Sequence, residues 1–172
     1  MSPPKALAAV ALTHRSQRLI PISRPPEHHA VVRFLNRVLA TEIVCALRYR
    51  RHGAIARSLG AVRTAEEFLA HADEDMVQAD LIAERIVQLG GEPDFAPATL
   101  QQRSHLEYVA VATVAEMVQE NLAAKHLMIN NYSALIDYLR DDDPITRGMI
   151  EDILRLEQKH ANQLIELLKD AR

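Results

Sequence analysis

The stretch Val31-Val32-Arg33-Phe34-Leu35-Asn36-Arg37-Val38-Leu39-Ala40-Thr41-Glu42-Ile43-Val44-Cys45-Ala46-Leu47-Arg48-Tyr49 decides the fold. Its apolar residues Val31, Leu35, Val38, Leu39, Ile43, Ala46 and Leu47 recur at spacings of three and four, the signature of a helix with one buried face. The pattern runs from Glu27 to about Arg57. Glu42 stands in the middle of the stripe formed by Leu35, Val38, Leu39, Cys45, Ala46 and Tyr49. A carboxylate buried without a partner costs several kcal/mol or takes up a proton, so other segments must bring a group to meet it.

Three further helices follow from the same reading. Thr64, with Glu67 three residues on, resembles a capping box opening a second helix that runs to about Leu89. Gly90-Gly91 and Pro93 end it, and Glu92 to His105, with Pro93 and Pro97, reads as a long non-helical crossover. A third helix spans about Glu107 to Leu139. Asp143 before Pro144 then supplies an N-cap with proline at the first helical position, and a fourth helix continues almost to the end of the chain. Two short links and one long crossover specify an all-α four-helix bundle of two antiparallel hairpins, with no fifth helix.

Composition agrees. The chain has 172 residues, 48% hydrophobic and 25% charged, enough apolar surface for one core and too much for a disordered segment. Five glycines and 4% aromatic content leave little from which to build a sheet. No apolar run approaches the roughly eighteen residues of a membrane span. The early run Ala6 to Leu12, behind a lone Lys5, fits a secretory signal poorly, so the expected location is cytoplasmic. Cys45 is the single cysteine, which excludes an internal disulfide or a thiolate cluster and reads as a small buried hydrophobe. Residues 1–26 hold Pro3, Pro4, Pro21, Pro25 and Pro26 and the bases Lys5, Arg15, Arg18 and Arg24, with no acid. They are expected to form a flexible basic arm ahead of the 27–172 bundle. The body is therefore more acidic than the net charge of −3 suggests, and four bases are few for holding DNA.

Polar groups recur inside the expected core. On the fourth helix Glu157 and His160, at i and i+3, project from the side marked by Leu154, Ala161, Leu164 and Leu168, a pair suited to divalent iron or manganese. The second helix places His71, Asp75 and Gln78 beside Phe68, Ile82 and Leu89, and the third places Lys125 among Val118, Leu122, Ile129 and Tyr132. Asp75 follows Glu42 at almost the separation at which Glu157 follows Lys125. The two halves thus repeat, Glu42 with Asp75 and Gln78 against Lys125 with Glu157 and His160.

At these positions the sequence resembles the ferritin-like family, bacterioferritin and its Dps-like relatives above all. The likeness spans about residues 31–168, through Phe34 to Glu42, Ala79-Asp80 with Glu84-Arg85-Ile86, Leu89-Gly90-Gly91-Glu92-Pro93, and Ile153-Leu154 through Glu157 to His160. The resemblance implies a ferritin-like bundle, storage or detoxification of iron in an oligomeric shell, and oxidation of ferrous iron at a dinuclear centre held by one Glu from each of two helices and a Glu-x-x-His from each of the others. Glu42, Glu157 and His160 match that ligand set. Asp75 and Gln78 replace the Glu-x-x-His of the second helix, and Lys125 stands where the third helix supplies a Glu.

Three acids and one base suit one divalent ion, held by Glu42, Asp75, Glu157 and His160 at reduced occupancy, or no ion, with the Lys125 ammonium in its electrostatic place. His71, one turn before Asp75, offers a shifted site. The expected subunit is degenerate, with weak or no ferroxidase activity of its own, assembling with itself or with a ferritin-like paralogue. The absent fifth helix favours a twelve-subunit shell over a twenty-four-subunit one. Two other readings stay open. One is an active metal-dependent oxidase with a mononuclear or shifted site, with Tyr49 and Lys125 as catalytic candidates. The other is a Dps-like DNA protector using the arm. Met76 falls where bacterioferritin places an axial haem ligand, on a second apolar stripe of Leu69, Ala72, Ala79, Ala83 and Ile86 that suggests a subunit contact; packing alone is its other reading. Tyr49 reads equally as a buried phenol hydrogen-bonded to a core carboxylate.

Overall fold

The structure, a computed structural model, describes residues 28–109 and 111–170; the arm expected over 1–26, and any DNA contact through it, lies outside them. In chain order the helices are α1 (His28–Ser58), α2 (Val62–Gln88), α3 (Pro97–Arg103), α4 (Val114–Leu139) and α5 (Pro144–Asp170). The described residues hold no strand, and none of their helices is long and apolar enough to cross a membrane. α1 pairs along α2 and α4 along α5, two hairpins that close on one core. Leu35, Leu39, Phe68, Ile82, Met128 and Leu164 are fully buried within it. Each such side chain contributes about 1.5–3 kcal/mol of transfer free energy.

The expectation of no fifth helix is corrected. α3 forms within the crossover, where the two prolines suggested irregular chain. Pro97 occupies the first turn, where a missing N–H costs nothing, and Leu100 anchors the single face. Arg103 pairs with Asp94 at 3.0 Å and donates to Thr99 and to the Ala96 carbonyl, tying the helix to its own entrance. Seven residues with one apolar anchor are too few for a periodic signal. The crossover is stitched to α1: Asn36 donates to the Glu92 carbonyl and accepts from the Asp94 N–H, and the His105 N–H donates to Thr41 Oγ1.

Two helix starts also differ from expectation. α2 begins at Val62 behind Ala61, with no side-chain cap, so Thr64 and Glu67 lie inside the helix rather than at its start. The capping box forms instead at the head of α4: Thr113 Oγ1 accepts from the Glu116 N–H, and the Glu116 carboxylate accepts from the Thr113 and Ala112 N–H groups. That box sets the start at Val114 rather than near Glu107. The cap ahead of Pro144 forms as expected, with Asp143 accepting from the Thr146 N–H at 3.0 Å and from the Thr146 hydroxyl. Arg85 of α2 donates to both Asp143 and Thr146, so one cluster caps α5 and joins the two hairpins. Gly90 ends α2 at φ 75°, in the left-handed region open to glycine, and the Gly91 N–H reaches back to the Ile86 carbonyl.

The second apolar stripe of α2 is used largely within the chain. Ala72, Ala79 and Ile86 are buried in the core, with Met76 and Ala83 packed against it. The large apolar residues that α2 leaves exposed are others: Val62, Val77, Leu81 and Val87.

Candidate functional site

All four long helices bring polar side chains to one level of the bundle. Glu42 from α1, Asp75 and Gln78 from α2, Lys125 from α4, and Glu157 and His160 from α5 are buried together. The matched triplets of the internal repeat meet because each hairpin presents its polar residues at the same depth. The centre of the arrangement is an ammonium. Lys125 Nζ lies 2.9 Å from Asp75 Oδ1 and 2.7 Å from Glu157 Oε2, all three side chains fully inaccessible to solvent. Tyr49 lies beside it, with Nζ 5.4 Å from the ring centroid.

The ionisation states follow from burial and neighbours. For Lys125, burial favours the neutral amine, but Asp75 and Glu157 outweigh it and hold the group well above the ordinary lysine range, so it is an ammonium. Burial pushes the Asp75 carboxyl up to about 6 against the pull of Lys125. Burial also raises Glu157, but Lys125 and His160 overcome it and keep this carboxylate below its usual range. Glu42 is raised well above its ordinary value, by burial first and then by Glu157 and Asp75, against the pull of Lys125 and the Tyr132 hydroxyl. The Lys125 ammonium thus pairs with Asp75 and Glu157, while burial works against a charge on Glu42.

Asp75, Glu157 and His160 each turn one ligand atom into a common volume, all within 4.8 Å of one another, the single such grouping among the described residues. Glu42 lies outside it: its Oε1 accepts a hydrogen bond from the Tyr132 hydroxyl, and its Oε2 has no partner. Both side-chain polar atoms of Gln78 are buried without partners. His71 does not join the grouping. Its ring stacks on His160 at 4.0 Å between centroids, and its Nε2 lies 3.3 Å from Gln163 Oε1 and 3.5 Å from Glu67 Oε1. Burial, then the proximity of His160, lowers its pKa to about 3, so the ring is neutral. His160 turns Nδ1 inward, 3.6 Å from Glu157 and 3.8 Å from Asp75, and meets Glu74 through Nε2.

Tyr49 is buried as expected, but its hydroxyl finds no acceptor; the phenol that serves a core carboxylate is Tyr132. Tyr132 stands two turns after Lys125 as Tyr49 stands two turns after Glu42, so the repeat itself carried the signal. Glu74 had none, because a half-exposed acid on a helix is ordinary.

Two antiparallel helix hairpins joined by a long crossover, with carboxylates of both halves facing one level of the core, define the class: a ferritin-like helical bundle. The family model described as the ferritin-like domain matches residues 32–172, and the chain belongs to that family. It is 27% identical to the bacterioferritins of Mycobacterium avium and Mycolicibacterium paratuberculosis over 135 residues, 78% of this chain and 80% of theirs. Two solved structures, each 22% identical, share the fold. One is a dodecameric thioferritin, the bacterioferritin-related protein of Bacteroides fragilis, at a TM-score of 0.78 over 84% of this chain and 88% of that one. The other is Rhodobacter capsulatus bacterioferritin, described with a metal-free dinuclear site and haem iron, at 0.73 over 85% and 87%.

Proposed function

We propose that this chain is an iron-handling subunit of the ferritin family whose inner centre accepts at most one divalent ion and oxidises ferrous iron slowly or not at all. The carrying observation is the Lys125 ammonium seated between Asp75 and Glu157. A dinuclear ferrous centre places two dications between carboxylates. Here a fixed cation takes an oxygen from each of two carboxylates, Glu42 is engaged by Tyr132, and Gln78 brings an uncharged amide where an imidazole is expected. The residues do not fit two ions. Asp75, Glu157 and His160 remain as donors for one, and an ion there competes with the Lys125 ammonium for the same two carboxylates.

What this chain's residues do in that reading is hold charge. Lys125 keeps Glu157 ionised in a dry core, the Tyr132 hydroxyl donates to Glu42 and partly offsets the burial that disfavours its charge, and Glu74 and His160 join the surface to the buried acids. Assembly with copies of itself is part of the proposal, supported by the dodecameric form of the bacterioferritin-related protein from Bacteroides fragilis; a paralogue bearing an intact centre is the other partner the degenerate site accommodates. Elemental analysis and anaerobic ferrous titration test the reading, on wild type and on a variant combining Lys125→Glu, Asp75→Glu and Gln78→His. Wild type is expected to take up one ferrous ion per chain or fewer, and the restored variant about two, with oxygen consumption. Stoichiometric uptake and oxidation of two ions by wild type would overturn it.

A further inference from the structure

A second buried polar cluster lies towards the C-terminal end of α1. Arg48, Arg51 and His52 stand at i, i+3 and i+4 and so share one face of that helix. Arg48 is only 2% exposed and His52 is fully buried. Asn121 of α4 fixes the hydrogen-bond directions. Arg48 Nε can only donate, and it does so to Asn121 Oδ1 at 3.1 Å. The Asn121 Nδ2 group therefore faces His52 Nδ1, at 3.1 Å, and donates to it. Nδ1 is thus the acceptor nitrogen, and the proton of this imidazole sits on Nε2, where it is buried with no acceptor. Arg51 Nη1 is likewise buried without a partner. The other polar contact of Arg48 is a long one, from Nη2 to the Cys45 sulfur at 3.9 Å. Among the described residues no carboxylate pairs with Arg48 or Arg51, whereas every cation of the iron-handling centre has its acid.

A buried guanidinium without a counter-charge is costly, and this cluster offers donors only: two guanidinium groups and one imidazole N–H. We propose that Arg48, Arg51 and His52 form an oxyanion site that takes inorganic phosphate, separate from the Asp75–Lys125–Glu157 centre. Phosphate matches on charge, because its dianion balances two guanidinium groups. It matches on shape, because a tetrahedral oxyanion offers several separate oxygens to donors set apart in space, whereas a halide offers a single point of charge −1. Asn121 acts as a positioning residue: it orients Arg48 and selects the His52 tautomer that donates.

The test is calorimetric titration of inorganic phosphate into the assembled, chelator-treated full-length protein, with chloride holding ionic strength constant. Bound iron is then absent, so success or failure here is independent of the iron reading. One phosphate per chain is expected, with a rise in the thermal midpoint that chloride does not reproduce. Arg48→Gln and Arg51→Gln should each weaken uptake about tenfold or more. If Arg48→Gln fails to fold, Arg51→Gln, at a partly exposed position, carries the same comparison. Asn121→Leu should weaken phosphate uptake less than either arginine change. The proposal is overturned if wild type shows no saturable uptake, or if uptake is unchanged in the variants. It is equally overturned if phosphate binds only once the assembly is dissociated, because a neighbouring copy's carboxylate then holds the place.

Discussion

Lys125 and the two tyrosines of the core separate roles that the sequence alone leaves merged. Lys125→Met removes the ammonium and leaves Asp75 and Glu157 facing each other in a dry interior. Breaking a buried pair from one side costs about 3–5 kcal/mol, so urea unfolding should register a loss of that order. Adding Asp75→Asn and Glu157→Gln to the same chain should return much of it, because no uncompensated charge remains. The tyrosines should diverge. Tyr132→Phe strands the Glu42 carboxyl and is expected to cost about 1–3 kcal/mol. Tyr49→Phe deletes a hydroxyl that has no partner and should leave stability unchanged or raise it. Equal losses in both variants would contradict the assignment of Tyr132 as the phenol that serves the core.

At the scale of elements, the crossover and the head of α5 are held by polar contacts that respond to pH and to capping changes. His105 lies against Thr41 of α1, and burial, aided by Arg37, lowers its pKa to about 4. In the unfolded chain the same imidazole titrates near 6.5, so between pH 6.5 and 4 the unfolded state binds the extra proton. Stability from this group is therefore complete above about pH 6.5 and drains away as pH falls towards 4. Between pH 7 and pH 5 the difference in unfolding free energy between wild type and His105→Asn should shift by about 1–2 kcal/mol, to the disadvantage of wild type. A shift of the opposite sign would mean that His105 is charged in the fold. At α5, Asp143→Ala removes an N-cap and a tie to Arg85 together. A loss at the upper end of the 0.5–2 kcal/mol typical of caps is expected from thermal unfolding.

For the whole molecule, the outer surfaces of the first hairpin carry opposite charges. Exposed positions of α1 include Arg33, Arg37, Arg50 and Arg57 and no acid, whereas those of α2 include Glu66, Asp73, Asp80 and Glu84 beside Val77 and Leu81. Two such hairpins related by a two-fold axis would match basic α1 to acidic α2 around an apolar centre. Val77→Asp with Leu81→Asp should then lower the assembled mass in sedimentation while leaving helical content intact, since both side chains face solvent in the single chain. Raising salt should weaken the same assembly. Retention of the full assembly by the double variant would place the subunit contact elsewhere.

The periodic stripe around Glu42, the glycine and proline stops, and the Asp143-Pro144 cap settled in the sequence that the chain is a bundle of four long helices. Those signals are local, set by helical period and capping chemistry. The repeat of Glu42 with Asp75 and Lys125 with Glu157 likewise carried which helices share a polar level. Tertiary structure decided the rest. α3 lies against α1 with Leu100 in the core, and α4 starts at Val114 because Thr113 and Glu116 close a box that competes with a longer helix. Whether Lys125 points at Asp75 and Glu157, whether Glu42 meets Tyr132 or Tyr49, and whether Arg48 finds an acid are questions of distances between helices. Those distances are fixed only when all four helices pack, because charges in a dry core arrange themselves against one another and not along the chain.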